Sequence, residues 1–128
     1  MRPADLRYTE SHEWIRVEGE VATVGITDFA VAQLTDIVYI ELPAVGTNCE
    51  KGKALGEIES VKAVSDLFAP CSGTVEEVHE TLPDNLDKLS SSPFGEGWLV
   101  KIKMTNPSDV ESLLTAEAYE EIVKAEDH

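Results

Sequence analysis

The stretch GEIESVKAVSDLFAPCS, residues 56–72, decides the fold, and its residues alone admit two readings. Val61, Val64 and Phe68 fit a helical stripe, whereas the β-rich flanks, Pro70 and Gly73 favour two strands that meet near Lys62. Ser60 to Ala63 lacks the Asn-Gly or Gly-Gly pair of a tight hairpin, so local propensity counts against a turn there. Periodicity leaves both readings open.

The surroundings are easier to read. Residues 14–26, WIRVEGEVATVGI, are two β-branched runs around Glu18-Gly19-Glu20, the composition of a hairpin with glycine at its turn. Thr27 is placed to cap a short helix in TDFAVAQL, with Ile26 stapled onto Val31. Ile37 to Leu42 reads as a strand stopped by Pro43, and glycines 46, 52 and 56 suit tight turns between short strands.

On the other side, Thr74 to Val78 and Trp98 to Met104 alternate like strands. Between them, residues 80–97 carry Pro83, Asp84, Asn85, serines 90 to 92 and Pro93, the composition of a long loop. After Asn106-Pro107 the period changes. Ser108 and Glu111 have capping-box spacing, with Val110, Leu113 and Leu114 on one helical face. Thr115 is placed to cap a second helix with Tyr119, Ile122 and Val123 as its apolar stripe.

A chain of 128 residues, 42% hydrophobic and 27% charged, has the size and balance of one globular domain, residues 1–128. Its formal net charge of −15 repels a nucleic-acid backbone or an anionic membrane and suits basic patches on partner proteins. The same charge would also serve to keep an abundant protein soluble. Cys49 and Cys71 stand apart without metal-ligand spacing, so buried, reduced thiols are expected and zinc is not. Met1 to Glu10 shows no targeting segment, and no run approaches the roughly 20 apolar residues of a membrane span. A cytoplasmic protein is expected.

Catalysis would need a nucleophile with its base, a metal cluster or a phosphate cradle, and no such motif stands at recognisable spacing. His12, His79 and His128 are isolated, and a lone imidazole is more often a surface or strand residue than a catalyst. A non-catalytic protein is expected.

Glu59-Ser60-Val61-Lys62-Ala63, with Asp66 and then Pro70 to Gly73, resembles the lipoylation hairpin of the glycine cleavage H-protein family. Ser11-His12-Glu13-Trp14, Val21 to Asp28, Val38 to Pro43 and Gly95 to Lys103 match the family's pattern in the same order. The resemblance spans roughly Tyr8 to Tyr119. A biotinyl carrier fits less well, because Lys62 lies between Val61 and Ala63 where biotin sites have methionines. Lipoyl domains of 2-oxo-acid dehydrogenases usually read Asp-Lys-Ala at the site and lack the GEGW loop and C-terminal helices.

The resemblance implies a mostly β, hybrid barrel-sandwich fold of the lipoyl/biotinyl hammerhead kind with short peripheral helices. Its hairpin would lie around 56–70 and its C-terminal helices around 108–125. It implies lipoate covalently attached to Lys62, by a lipoate-protein ligase or the lipoyl synthase machinery. The function implied is that of a carrier of the aminomethyl group of glycine. The carrier would move between a pyridoxal-phosphate glycine decarboxylase (P protein) and a tetrahydrofolate-dependent aminomethyltransferase (T protein), with dihydrolipoyl dehydrogenase (L protein) reoxidising the dithiol. Ser11, Glu13 and Asp66 stand at the positions that meet the loaded arm, Glu13 and Asp66 as charge partners and Ser11 as a hydrogen-bond acceptor. Gln33 departs from relatives that have histidine there, and 80–92 diverges. Two competing classes are a relay that passes octanoyl or lipoyl groups to other proteins, and an unmodified interaction module with Lys62 free.

Overall fold

The computed structural model describes residues 5–34 and 36–126; His128 and the first four residues of the N-terminal segment lie outside them. The chain is mostly β. Strands β1 (Arg7–Tyr8), β2 (Glu13–Glu18) and β3 (Val21–Ile26) lead to helix α1 (Asp28–Leu34) and strand β4 (Ile37–Glu41). Then come β5 (Asn48–Cys49), β6 (Ala54–Ser60), β7 (Val64–Phe68) and β8 (Gly73–Val78), a 3-10 turn (Leu82–Asp84), and α2 (Asp87–Ser91). Strand β9 (Val100–Met104), a second 3-10 stretch (Pro107–Ser112) and α3 (Ala116–Glu126) complete it. Residues 56–72 are therefore strands, not a helix.

Antiparallel pairing sorts the strands into a six-stranded sheet, β1-β2-β3-β9-β8-β5, and a three-stranded sheet, β4-β6-β7. Among the described residues the two sheets form no closed barrel. They share one apolar interior: Ile15, Val24, Val75 and Ile102 from the larger sheet join Ile40, Ile58 and Leu67 from the smaller. A second cluster of Leu6, Tyr8, Trp14, Ala116 and Tyr119 lies apart from it, with Phe94, Trp98, Leu114 and Val123 packed against it. Tyr8 and Tyr119 stack there at 4.9 Å, which fixes α3 to β1.

Much of the local reading holds. The β2–β3 hairpin turns at Gly19 with φ 64°. Thr27 caps α1 by accepting the Ala30 N–H at 3.3 Å, and Thr115 caps α3 by accepting the Ala118 N–H at 3.2 Å.

Three expectations fail for identifiable reasons. The 80–97 loop contains a 3-10 turn and α2, because Leu82 and Leu89 bury completely and Leu86 packs against them at helical spacing. The Ser108–Glu111 capping box does not form: Asn106 is the N-cap of a 3-10 stretch, and the Ser108 hydroxyl donates to the Asn106 side chain at 2.6 Å. Val110 and Leu113 pack on the main interior whereas Leu114 joins the second cluster, so the three do not share a face. Lastly, Gly46 and Gly52 sit in turns with positive φ, but Gly56 lies inside β6, where a Cβ would stand 2.3 Å from the Glu41 carbonyl oxygen.

Gly25 illustrates how tightly the second cluster is built, since a Cβ there would lie 2.5 Å from the Trp14 indole, which is fully buried. Gly25→Ala is expected to cost about 1–3 kcal/mol through overpacking, read as a lower midpoint in urea unfolding with an unchanged slope.

Candidate functional site

Lys62 stands at the tip of the hairpin formed by β6 and β7, whose register pairs Glu59 with Val64 and Glu57 with Asp66. The turn lacks Asn-Gly because a side chain does the work. The buried Ser60 hydroxyl accepts the Ala63 N–H at 3.1 Å and faces the Ala63 carbonyl at 3.2 Å, beside a backbone bond from Ser60 N–H to that carbonyl at 2.8 Å. The Val61 N–H donates to the Asp36 carbonyl at 3.1 Å and ties the tip to the start of β4. Lys62 itself is exposed on this rigid support, with Val61 73% and Val64 61% exposed beside it.

One face of β7 leads away from the tip. Val64, Asp66 and Phe68 alternate outward while Leu67 is buried in the interior. From Val64 to Phe68 the strand rises about 14 Å, and at its far end a pocket of about 450 Å³ opens. Its walls come from Tyr8 to Ser11 and Glu13 around the β1–β2 loop, from Lys51 and Gly52, from Phe68 to Pro70, and from Ser112 to Leu114. Reciprocal backbone bonds between Tyr8 and Leu114, at 2.9 and 2.8 Å, join the first and last of these segments.

Glu13 forms the polar floor. Only 1% of the residue is exposed, and its Oε1 accepts hydrogen bonds from the Ser11 hydroxyl at 2.5 Å and the Thr9 hydroxyl at 2.6 Å. The Phe68 N–H, on the outer edge of the smaller sheet, reaches Oε2 at 3.5 Å. No cation pairs with Glu13 among the described residues; burial pushes its carboxyl above the ordinary value of 4.5, against the opposing effect of the Ser11 and Thr9 bonds. A mostly apolar pocket, with Glu10 and Lys51 also on its lining and a buried Glu13 carboxylate that pairs with no cation among the described residues, is chemically suited to the end of a hydrocarbon arm that carries an ammonium group.

Ser11 and Glu13 are thus brought together, with Ser11 donating to Glu13 and keeping its lone pairs for a ligand. Asp66 does not line the pocket. It stands on the β7 face between Lys62 and Phe68, in a cross-strand row with Glu57 and Glu41. Gln33 is exposed on α1. His79 stacks on Trp98 at 4.4 Å and its Nδ1 lies 2.7 Å from the Trp98 carbonyl. Cys49 and Cys71 are buried free thiols, and burial raises both, Cys71 to about 12. Among the described residues no group of three or more His, Cys, Asp or Glu could hold a metal, and no helix is long and apolar enough to cross a membrane.

Thr9, the Phe68 amide, Lys51 and residues 112–114 escaped the sequence reading. Thr9 offered one weak signal, a hydroxyl four residues before Glu13 and within reach of it across a turn. Lys51 joins through a turn: its Nζ donates to the Asp109 carbonyl at 3.1 Å and to the Ser112 hydroxyl, a contact between distant segments that no local pattern encodes.

Comparison with known proteins finds one family on this chain. The profile described as Glycine cleavage H-protein matches residues 6–126. The chain is 49% identical over 122 residues to the glycine cleavage system H protein of Synechococcus sp. (strain JA-3-3Ab), covering 95% of each chain. It is 51% identical over 122 residues to that of Methylacidiphilum infernorum (isolate V4), again over 95% of each. Its structure superposes on the crystal structure of a glycine cleavage system H protein from Mycobacterium marinum with a TM-score of 0.85 at 39% identity, over 98% of this chain and 99% of that one.

The raised Glu13 carboxyl has a stability consequence. Above 4.5 the folded chain holds this proton more tightly than the unfolded chain, so its contribution to stability falls as pH rises through the folded-state value. Glu13→Gln removes that slope. The variant is expected to gain stability relative to the parent between pH 4 and pH 7, measured as paired urea unfolding at each pH.

Proposed function

The chain belongs to the glycine cleavage H-protein family, the lipoate-bearing carriers of the glycine cleavage system, and from that premise we propose that Lys62 is its attachment residue and the Glu13 pocket its cargo shelter. When bound, lipoate supplies a dithiolane whose sulfurs take up and release the cargo; the chain supplies the rest. Our reading is of a non-catalytic component made of one domain, residues 1–128, working in the cytoplasm.

Each residue has a physical task. Lys62 presents its amine on a turn that Ser60 stiffens, as an enzyme that must acylate one nitrogen requires. Val64, Asp66 and Phe68 line the route from the tip to the pocket, and Asp66 offers a carboxylate along it. Glu13 holds the cationic amine in the pocket, Ser11 and Thr9 orient the Glu13 carboxylate, and the walls exclude water that would hydrolyse the cargo. The glycine cleavage system implies three partners, the decarboxylase, the aminomethyltransferase and dihydrolipoyl dehydrogenase; attachment falls to a lipoate-protein ligase or the lipoyl synthase machinery. A formal charge of −15 favours cationic faces on all of them.

The buried carboxylate without a cation carries this reading. A relay of octanoyl or lipoyl groups handles neutral acyl chains and gains nothing from a charge that is costly to bury; an aminomethyl carrier does.

The test is intact and peptide mass spectrometry after the apo-protein and Lys62→Ala are incubated with a lipoate-protein ligase, lipoate and ATP. One lipoyl increment on Lys62, absent from the variant, is expected. No increment on the parent, with a known acceptor modified in the same tube, would overturn the assignment.

A further inference from the structure

His12 lies between Ser11 and Glu13 and does something different from either. The β1–β2 connection is a three-residue loop, Glu10 to His12, closed by the Thr9 N–H donating to the Glu13 carbonyl at 3.0 Å and the His12 N–H donating to the Thr9 carbonyl at 3.1 Å. Such loops end on a residue in the left-handed region, where glycine is the usual occupant. Here it is His12, with φ 73°, the one non-glycine residue of positive φ among those described. A bulky side chain in that place calls for a reason beyond closing the loop.

Its ring supplies one. Nδ1 lies 2.7 Å from the Tyr119 hydroxyl and Nε2 lies 3.1 Å from the Glu126 carboxylate, both on α3, while the ring packs 5.0 Å from Phe29 of α1. The Tyr119 hydroxyl is also 2.6 Å from the Thr27 hydroxyl, which caps α1. A carboxylate only accepts, so Nε2 carries a proton toward Glu126. In the neutral ring Nδ1 then accepts from Tyr119, and Tyr119 accepts from Thr27. The chain of donors runs in one direction, from α1 through α3 to the loop.

We propose that His12 is a positioning residue of the cargo site: its ring, latched to α3, holds the left-handed turn that aims Ser11 and Glu13 into the pocket. The C-terminal helix is thereby part of the site without touching it. This inference rests on the reading of Glu13 as the cation holder, and its test separates the two.

Tyr119→Phe removes one hydroxyl and keeps the stack on Tyr8; His12→Gly still permits the positive φ but removes the ring that ties the turn to α3. In both apo-proteins the Glu13 carboxyl, followed by its side-chain 13C shift, is expected to titrate closer to its ordinary value as it swings toward water. Lipoylation of Lys62 should be unchanged, because neither substitution touches the Ser60 turn that presents Lys62. In the loaded proteins, hydrolysis of the cargo should be roughly tenfold faster, as with Glu13→Gln. Titration of Glu13 as in the parent in both variants would overturn the proposal, and should His12→Gly not fold, Tyr119→Phe decides alone. If Glu13→Gln leaves cargo hydrolysis unchanged, the cation-holding reading is what fails, and the apo-protein titrations still judge His12.

Discussion

Everything else in this fold is arranged around a carboxylate that has almost no water and, among the described residues, no cation paired with it. Withdrawing Glu13 from solvent costs several kcal/mol, and hydrogen bonds to a charged group return only about 1.5–3 kcal/mol each. Thr9 and Ser11 offset part of the cost, and the Phe68 amide adds a long, weak contact. What remains is a standing preference for a positive group at that point. A core that served stability alone would place an apolar residue there; on the proposed function, a cationic cargo would offset that deficit.

Holding such a group in place requires rigid walls on every side, and the two apolar clusters divide that labour. The shared interior of the two sheets fixes β6 and β7, and so the stripe from Lys62 to Phe68. The second cluster fixes the other wall. Trp14 follows Glu13 directly and is wholly buried; its indole N–H donates to the Pro93 carbonyl at 2.9 Å, and its ring lies over Gly25. Tyr8 and Tyr119 stack behind the loop, and the Tyr8–Leu114 bridge closes the pocket's rim. The aromatic cluster is thus the backing of the pocket, which explains why a chain of this size keeps two hydrophobic groups instead of one. Peripheral helices that look decorative in the strand order are the clamp on the β1–β2 loop.

Local signals were legible where the backbone chemistry is local. Gly19 in the first hairpin and the threonine caps at 27 and 115 all act within four residues of themselves, and each was readable from the sequence. The decisive hairpin was not, because its turn is made by the Ser60 side chain in place of a glycine backbone, and a serine advertises nothing by itself. Leu82, Leu86 and Leu89 formed a helical spacing that the prolines and serines around them disguised as loop. Of the candidate pocket, Ser11 and Glu13 were named through ordered resemblance along the chain, not through any pattern of their own. Thr9 was missed although its bond to Glu13 is local, because a threonine four residues before a glutamate marks nothing by itself; Lys51 was missed because its tie to Ser112 is tertiary. Asp66, named by resemblance as a second charge partner of the loaded arm, stands on the β7 face outside the walls of the Glu13 pocket.

The claim that the arm's end lies against Glu13 is tested most directly by isotope-edited nuclear Overhauser spectra of the lipoylated, cargo-loaded protein, with the cargo methylene labelled with 13C. Contacts from that methylene to side-chain protons of Phe68 and Leu114, together with Glu13, are the predicted result, since those residues line the pocket. Contacts confined to the arm itself, or to Val38 and Tyr39 beside the hairpin tip, would contradict the account.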